Sequence, residues 1–160
     1  SSSASLSASL QCVQKNLGVS PSIAQFLLPL GCTLNMNGSA LYQAMAAIFI
    51  AQAYGVPLGT AELITLSTTV LLASLGTASI PGAGFFMLTV VFSSIGVPLE
   101  GLAILAGVDR LRDMATTSLN VFGDAACCVT VAAREQELDV SLYEVGPAPH
   151  PVRDSAPEPR

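Results

Sequence analysis

Apolar residues dominate the chain from residue 16 to residue 99, with short breaks that are rich in glycine, proline and asparagine. Glu62 is the one charged residue in this stretch, so two uncharged runs cover residues 16–61 and 63–99. Long uncharged runs are typical of segments that lie in lipid. The pattern therefore predicts an all-α membrane protein with discontinuous transmembrane helices and re-entrant helical hairpins.

Breaks in the apolar pattern separate the first two segments. A helix stop followed by a helix start at 16–21 divides a Ser-rich helical piece, 1–17, from a longer segment, 20–55. Pro29, Gly31 and the sequence Asn-Met-Asn-Gly at 35–38 interrupt the longer segment. We interpret it as one transmembrane helix that is broken in its middle.

The following segment, residues 58–97, has two apolar arms joined by small residues at 76–84. Each arm is shorter than the roughly 20 residues needed to cross a bilayer. Two short arms with a Gly/Pro/Ser tip favour a re-entrant hairpin, whose backbone must be shielded by protein or a water-filled cavity. Two poor spanning helices are the alternative.

The last apolar helix, 99–133, has a polar stripe, and a charged tail follows at 134–160. Five of the last 14 residues are proline, which predicts a disordered, solvated tail. Spacings of four, four, three and four residues put five polar side chains within about 80° of the helix surface. These residues are Asp109, Asp113, Thr117, Asn120 and Asp124.

Carboxylates at membrane depth need partners. Arg110 and Arg112 could pair with the acids at a membrane surface, and for Asp109 this is as good an interpretation as any other. For Asp113 and Asp124 we favour a bound cation as the partner over these arginines. The unwound segment 31–39 would offer backbone carbonyls to such a hard cation, although a Pro/Gly kink without a site is the alternative.

Charge and composition exclude several functions. The net charge of −5 is unlike a nucleic-acid-binding surface. Four cysteines without CxxC spacing and a single histidine, His150, make a thiolate and imidazole metal site improbable. A hydrolase using the serines at 1–9 would lack both a usable histidine and a G-x-S-x-G elbow, so we do not expect an enzyme. Because the chain begins in Ser1 without an initiator Met, we interpret it as a C-terminal fragment.

Four motifs in order resemble a known family, the dicarboxylate/amino acid:cation symporters, which include glutamate transporters and neutral alanine/serine/cysteine transporters. The resemblance covers residues 1 to about 133, and it implies that 1–17 is the second arm of a first re-entrant hairpin. The motifs are SSSASL at 1–6, LPLG at 28–31 with NMNGS at 35–39, ASLGT at 73–77 with IPGAG at 80–84, and Val108-Asp109 leading to NVFGD at 120–124.

The resemblance implies sodium as the coupling ion, with no other cofactor. One sodium site would use the carbonyls of Gly31, Asn35 and Asn120 with the Asp124 carboxylate. A second would use the carbonyls of Thr33, Ser74, Leu75 and Thr77, and a further site would use position 37.

An amino-acid substrate would, on the same resemblance, lie between the hairpin tips. Its ammonium would bind Asp113, and its carboxylate would bind Asn120, Thr117 and Ser2. Ile80 and Gly84 would belong to the lid, and Ser39 and Thr116 would line the pocket. Family members are multi-pass proteins of the cell membrane and form homotrimers through a scaffold domain that this chain lacks.

Three departures from the family pattern bear on function. Thr116 stands where acidic-substrate members have an arginine, which favours a small neutral amino acid such as alanine, serine or threonine. Acidic amino acid or dicarboxylate symport is the alternative. It would need another arginine, either Arg112 with its head directed down the helix or the residue before Ser1, which supplies an arginine in some microbial members of the family. Asn37 replaces an aspartate, so the further sodium site loses its charge. Gln43 replaces a glutamate of proton-coupled members, so proton antiport by that route is not expected.

The prediction is therefore sodium-coupled symport of an amino acid. A non-transporting homologue that acts as a pore or scaffold is a rival, because both Asn37 and Thr116 depart from the family pattern.

Overall fold

We describe residues 1–80 and 82–145 in a computed structural model of the chain. These residues form eight α-helices and a short 3-10 turn at Leu99–Gly101. The helices are α1 (Ser2–Lys15), α2 (Pro21–Leu34), α3 (Asn37–Ala53), α4 (Thr60–Gly76), α5 (Ala83–Ser94), α6 (Leu102–Ala106), α7 (Asp109–Arg134) and α8 (Val140–Val145). Within the described part of the chain the fold is all-helical, as the sequence predicted, and one isolated bridge joins Val19 to Leu138.

The turn between α1 and α2 follows from three neighbouring residues. Gly18 has a φ of +70°, a backbone conformation that residues with a side chain rarely adopt. Ser20 caps α2 by accepting a hydrogen bond from the Ile23 N–H, and Pro21 takes the first helical position, where its missing N–H is harmless.

The break in the second segment is shorter than the sequence predicted. Pro29 and Gly31 both lie inside α2, and the backbone leaves the helix only at Asn35 and Met36. The packing of α2 against α1 and α7 offsets the hydrogen bond that Pro29 cannot donate. Asn35 is the C-cap of α2, with its backbone N–H donating to the Gly31 carbonyl, and its side-chain amide is hydrogen-bonded to Asp124 on α7.

Helices α4 and α5 pack against each other and are joined by a tip, residues 77–82, of which Pro81 lies outside the described residues. Gly82 has a φ of +83° where the tip enters α5. Among the described helices, none is both long enough and apolar enough to cross a bilayer.

The last predicted helix, 99–133, is not continuous. The 3-10 turn and α6 precede a bend at Gly107 and Val108, and α7 begins only at Asp109. Glycine is the poorest helix former after proline, which explains why the helix bends at Gly107.

The tail is also more ordered than the sequence predicted. The Asp139 N–H donates to the Gly18 carbonyl at 2.8 Å, and the Ser20 N–H donates to the Glu137 carbonyl at 3.1 Å. Leu138 packs on an apolar cluster around the buried Val19, which explains why residues 135–145 fold. The predicted disorder at 146–160 falls outside the described residues.

Two apolar clusters form the core. The first lies among α3, α4, α5 and α6 and includes the fully buried Ile50, Leu88 and Phe92. The second lies among α1, α2 and α7 and includes the fully buried Val13 and Cys128. Because α7 packs against α1, α2 and α3, its polar stripe faces the break between α2 and α3.

Candidate functional site

The α7 stripe lies against the unwound residues between α2 and α3. Asn120 and Asp124 are 4% and 2% exposed. The Gly38 N–H, at the start of α3, donates to Asn120 Oδ1 at 2.7 Å. Asn35 Nδ2 donates to Asp124 Oδ1 at 2.8 Å. Side chains of α7 therefore bind the unwound segment on both sides of the break.

The Asp124 carboxylate lies directly against the backbone of α2. A Cβ atom on Gly31 would lie 2.7 Å from Asp124 Cγ, so only glycine permits this approach. The amide nitrogens of Asn35 and Asn37 lie close to Gly123, where a Cβ would be 3.1 Å from each. Of the residues predicted for the first sodium site, Gly31, Asn35 and Asp124 are thus in direct proximity, with Asn120 one turn away on α7.

The residues predicted for the second sodium site come from the ends of α2 and α4, which contact each other. The hydroxyls of Thr33 and Ser74 donate to carbonyls of their own helices, and Leu75 is exposed. Thr77 is buried and accepts a hydrogen bond from Gln43 Nε2 at 3.4 Å. Among the described residues no hydrogen bond joins Thr33 to the α4 end, so the structure brings this set together less closely than the first.

A narrow polar cavity opens between the start of α1, the tip of the α4–α5 pair and α7. It contains six of the residues predicted for substrate binding: Ser2, Ser39, Ile80, Gly84, Asp113 and Asn120. Thr116 and Thr117 do not line it. Thr116 faces a neighbouring apolar groove with Gly38 and Tyr42, and Thr117 faces a different groove beside α1.

The start of α1 and the tip of the α4–α5 pair are hydrogen-bonded to each other over this cavity. Ser1 Oγ donates to the Ser79 carbonyl at 2.7 Å, and the hydroxyls of Ser3 and Ser79 are 2.5 Å apart. Thr77, at the other end of the same tip, contacts Gln43 on α3. The tip thus has polar contacts with both α1 and α3.

Arg112 lines the cavity as well, although the sequence argued against that position. Its guanidinium forms ion pairs with Asp109 and, at 3.4 Å, with Asp113. The Tyr42 ring lies 4.6 Å from the guanidinium carbon, and a Cβ on Gly84 would be 3.2 Å from Nη1. The Arg112 side chain is 8% exposed. A buried cation in contact with two carboxylates is therefore part of the site.

The position of Arg112 could have been inferred only in part. The spacing of three residues between Asp109 and Arg112 is typical of a helical ion pair, which directs the arginine toward the start of the helix. The contact with Tyr42 involves a residue 70 positions earlier in the chain, and nothing in the local sequence indicates it.

Comparison with known proteins gives a consistent set of relatives. Residues 1–134 match the model of the sodium:dicarboxylate symporter family. The chain is 46% identical over 125 residues to an excitatory amino acid transporter of Caenorhabditis elegans, covering 78% of this chain and 25% of that protein. It is 45% identical to human excitatory amino acid transporter 2, and the match covers 78% of this chain and 22% of that protein. It is 47% identical over 122 residues to the proton/glutamate-aspartate symporter of Escherichia coli K12, and this match covers 76% of this chain and 28% of the symporter. The chain spans about a quarter of the length of these relatives.

Proposed function

Since the chain belongs to the sodium:dicarboxylate symporter family, we propose that it forms the substrate- and ion-binding part of a membrane symporter for an acidic amino acid. Its relatives are transporters rather than enzymes. The chain spans about a quarter of their length, so sodium coupling, the membrane location and assembly into a homotrimer all belong to this proposal.

The acidic substrate replaces the small neutral amino acid that Thr116 favoured. The neutral prediction assumed that the pocket lacks a cation, because Thr116 cannot bind a carboxylate as arginine does. Arg112, one helical turn before Thr116, supplies a guanidinium to the substrate cavity. All three relatives named above are transporters of excitatory amino acids or of glutamate and aspartate. The Arg112 guanidinium in the cavity is the observation on which the acidic specificity rests.

Charge complementarity gives the orientation of the substrate. An amino acid with an acidic side chain carries one cationic group, the ammonium, and two anionic carboxylate groups. Asp113 would bind the ammonium and Arg112 the side-chain carboxylate, each through charge-assisted hydrogen bonds. Asn120, with Ser39 3.5 Å from its amide nitrogen, would bind the α-carboxylate beside the buried Ser2. The Arg112 Nε atom is buried without a partner in the described part of the chain, so the protein itself leaves this donor unused.

The break between α2 and α3 would hold a sodium ion. Sodium is a hard cation that prefers oxygen ligands, and Asp124 supplies a buried carboxylate against the Gly31 backbone. Asn35 and Asn37 carry no charge, and in this structure they turn their amide nitrogens toward Asp124 and Gly123. The residues present therefore fit one cation beside Asp124 better than a second beside the neutral Asn37.

Substrate binding and ion binding would be coupled through α7. Asn120 joins the substrate cavity to the first turn of α3, and Asp124 joins the sodium site to the end of α2. Sodium at Asp124 would hold the unwound residues between α2 and α3 in one position. Because Gly38, next to these residues, is hydrogen-bonded to Asn120, the position of Asn120 would be held as well. The coupling is then a linkage between two binding free energies. We further propose that the α4–α5 pair is a re-entrant hairpin whose tip covers the cavity.

The test is uptake of labelled aspartate and labelled serine by the full-length protein in proteoliposomes, under an imposed sodium gradient and, as the control, a potassium gradient. We expect sodium-driven aspartate uptake and little serine uptake. Serine uptake without aspartate uptake would restore the neutral specificity, and uptake of neither would favour a pore or scaffold.

A further inference from the structure

Three neighbouring side chains contact the Arg112 guanidinium and restrain its position. Asp109 and Asp113 accept hydrogen bonds from its two terminal nitrogens, and the ring of Tyr42 covers its face at 4.6 Å. Tyr42 comes from α3, and together with Arg112 it lines an apolar groove that also includes Met45 and Phe49. The guanidinium therefore lies between a polar cavity and an apolar groove.

One of these three restraints conflicts with substrate binding. If Asp113 binds the substrate ammonium, it can no longer serve fully as the partner of Arg112. An arginine side chain has several rotatable bonds, and it loses its fixed position when its partners leave. Asp109 and Tyr42 are the restraints that persist in the occupied site.

The ring of Tyr42, rather than its hydroxyl, supplies the restraint. The hydroxyl is buried and has no hydrogen-bond partner among the described residues. A cation above an aromatic face is attracted by the ring quadrupole, and the attraction strengthens where water is excluded. Arg112 is nearly buried in this structure, with a side chain that is 8% exposed.

We propose that Tyr42 is a positioning residue for acid specificity, whose ring keeps the Arg112 guanidinium at the cavity when the substrate ammonium occupies Asp113. This inference rests on the proposed function, because it assigns Arg112 to the substrate carboxylate. It predicts that the aromatic face is needed for aspartate and is much less important for a neutral amino acid of the same shape.

The experiment compares Tyr42→Leu, Tyr42→Phe and a matched control, Phe49→Leu, in the full-length protein. Phe49 lines the same groove and is 54% exposed. For each variant, labelled aspartate uptake gives the KM for aspartate, and competition by asparagine gives the affinity for a neutral isostere. We expect Tyr42→Leu to raise the KM for aspartate at least about tenfold, with Tyr42→Phe and Phe49→Leu within about twofold of wild type. The asparagine affinity and the sodium dependence should change little.

A role in folding alone would give a different result. In that case Tyr42→Leu would lower aspartate and asparagine affinity together, or would behave like Phe49→Leu, and the inference would be overturned. If Tyr42→Leu fails to fold, fluorinated phenylalanines at position 42 keep the volume of the ring while weakening its negative face. The KM for aspartate should then rise with each added fluorine, and a constant KM would overturn the inference.

Failure of the proposed function is distinguishable from failure of this inference. A wild-type protein that takes up no aspartate contradicts the proposed function itself. A wild-type protein that takes up aspartate normally, with no specific effect of Tyr42→Leu or of the fluorinated series, contradicts only the role of Tyr42.

Discussion

The two ends of α7 bury different kinds of groups. Around the C-terminal end of α7, here called the base end, Val13, Cys128 and Ala132 are fully buried. The polar Ser20 is half-buried there and Glu137 is exposed. At the site end the buried groups are polar and include Gln43, Thr116, Asn120 and Asp124. Burial of polar groups costs free energy unless they are hydrogen-bonded. Burial at the site end therefore stabilises the fold less than burial at the base end.

Unpaired polar atoms sharpen the difference. Tyr42 Oη, Gln43 Oε1 and Arg112 Nε are buried without hydrogen-bond partners in the described part of the chain, and all three belong to the site end. Such atoms are rare in folded proteins. At the base end the polar side chains bond to one another, as Ser20 and Ser22 do to Glu137. This contrast agrees with the proposal that the site end serves binding, while the base end serves stability.

The largest expected effect comes from the carboxylate at the break. Asp124→Asn keeps the shape of the side chain and removes its charge. We expect the sodium concentration for half-maximal uptake to rise at least about a hundredfold, because hydrogen bonds and contacts to a buried charge contribute about 3 kcal/mol. The control is Glu62→Gln, which removes a carboxylate that caps α4 far from the site. Sodium dependence unchanged in Asp124→Asn would contradict the assignment of this end to ion binding.

The next largest effect is expected at Gly38, where α3 lies close to α7 at the site end. A Cβ on Gly38 would lie 3.0 Å from Thr116 Cα and would clash with the Thr116 carbonyl oxygen. Gly38→Ala should therefore separate α3 from α7 at a cost of about 1–3 kcal/mol in the free energy of unfolding, and it should weaken aspartate binding.

Gly76→Ala is the matched control for Gly38→Ala. Its new methyl group would meet Met87 Cε at an ordinary 3.5 Å. Thermal unfolding and aspartate KM would be measured for both variants, and equal behaviour would show that the α3–α7 contact is not critical.

A glycine at the base end should affect stability without affecting specificity. Gly18 combines a φ of +70° with a position where a Cβ would lie 2.5 Å from the Asp139 carbonyl oxygen. Gly18→Ala should lower the free energy of unfolding by about 1 kcal/mol, with the ratio of aspartate to asparagine affinity unchanged. A shift in that ratio would mean that the two ends are not separate.

The smallest effect concerns pH at the base end. Hydrogen bonds from the Ser20 and Ser22 hydroxyls lower the pKa of Glu137. Its stabilising contribution is therefore present above the ordinary pKa of a glutamate and is lost as the pH falls through the lowered value. Thermal unfolding of Glu137→Gln should differ slightly from that of wild type at neutral pH and should converge with it in acid. A difference that grows in acid would contradict this role.

Local sequence was sufficient for the break at Asn35 and for the stripe formed by Asn120 and Asp124. Polar residues are costly in an apolar context, so a spacing of four residues there indicates one functional face. The order of the tail could not be foreseen, because Leu138 packs on an apolar cluster around Val19, which is 119 positions away in the chain.

The direction of the Arg112 side chain is the other feature that needed the structure. From the sequence, Thr116 favoured a neutral substrate. The Arg112 side chain, one turn away, has several possible rotamers, so the sequence alone does not show that it reaches the cavity. Asp109, Asp113 and Tyr42 together select the rotamer that reaches the cavity. Tyr42 belongs to a different helix, so its influence depends on the packing of α3 against α7.

The most direct measurement is aspartate and serine uptake by Arg112→Gln and by the double variant Arg112→Gln/Thr116→Arg, under a sodium gradient. We expect Arg112→Gln to lower aspartate uptake at least about tenfold while serine uptake does not fall, because the substrate side-chain carboxylate loses its cation. The double variant should regain aspartate uptake, since the guanidinium returns from the next turn of α7. Aspartate uptake by Arg112→Gln at the wild-type level would contradict the assignment of Arg112 to the substrate.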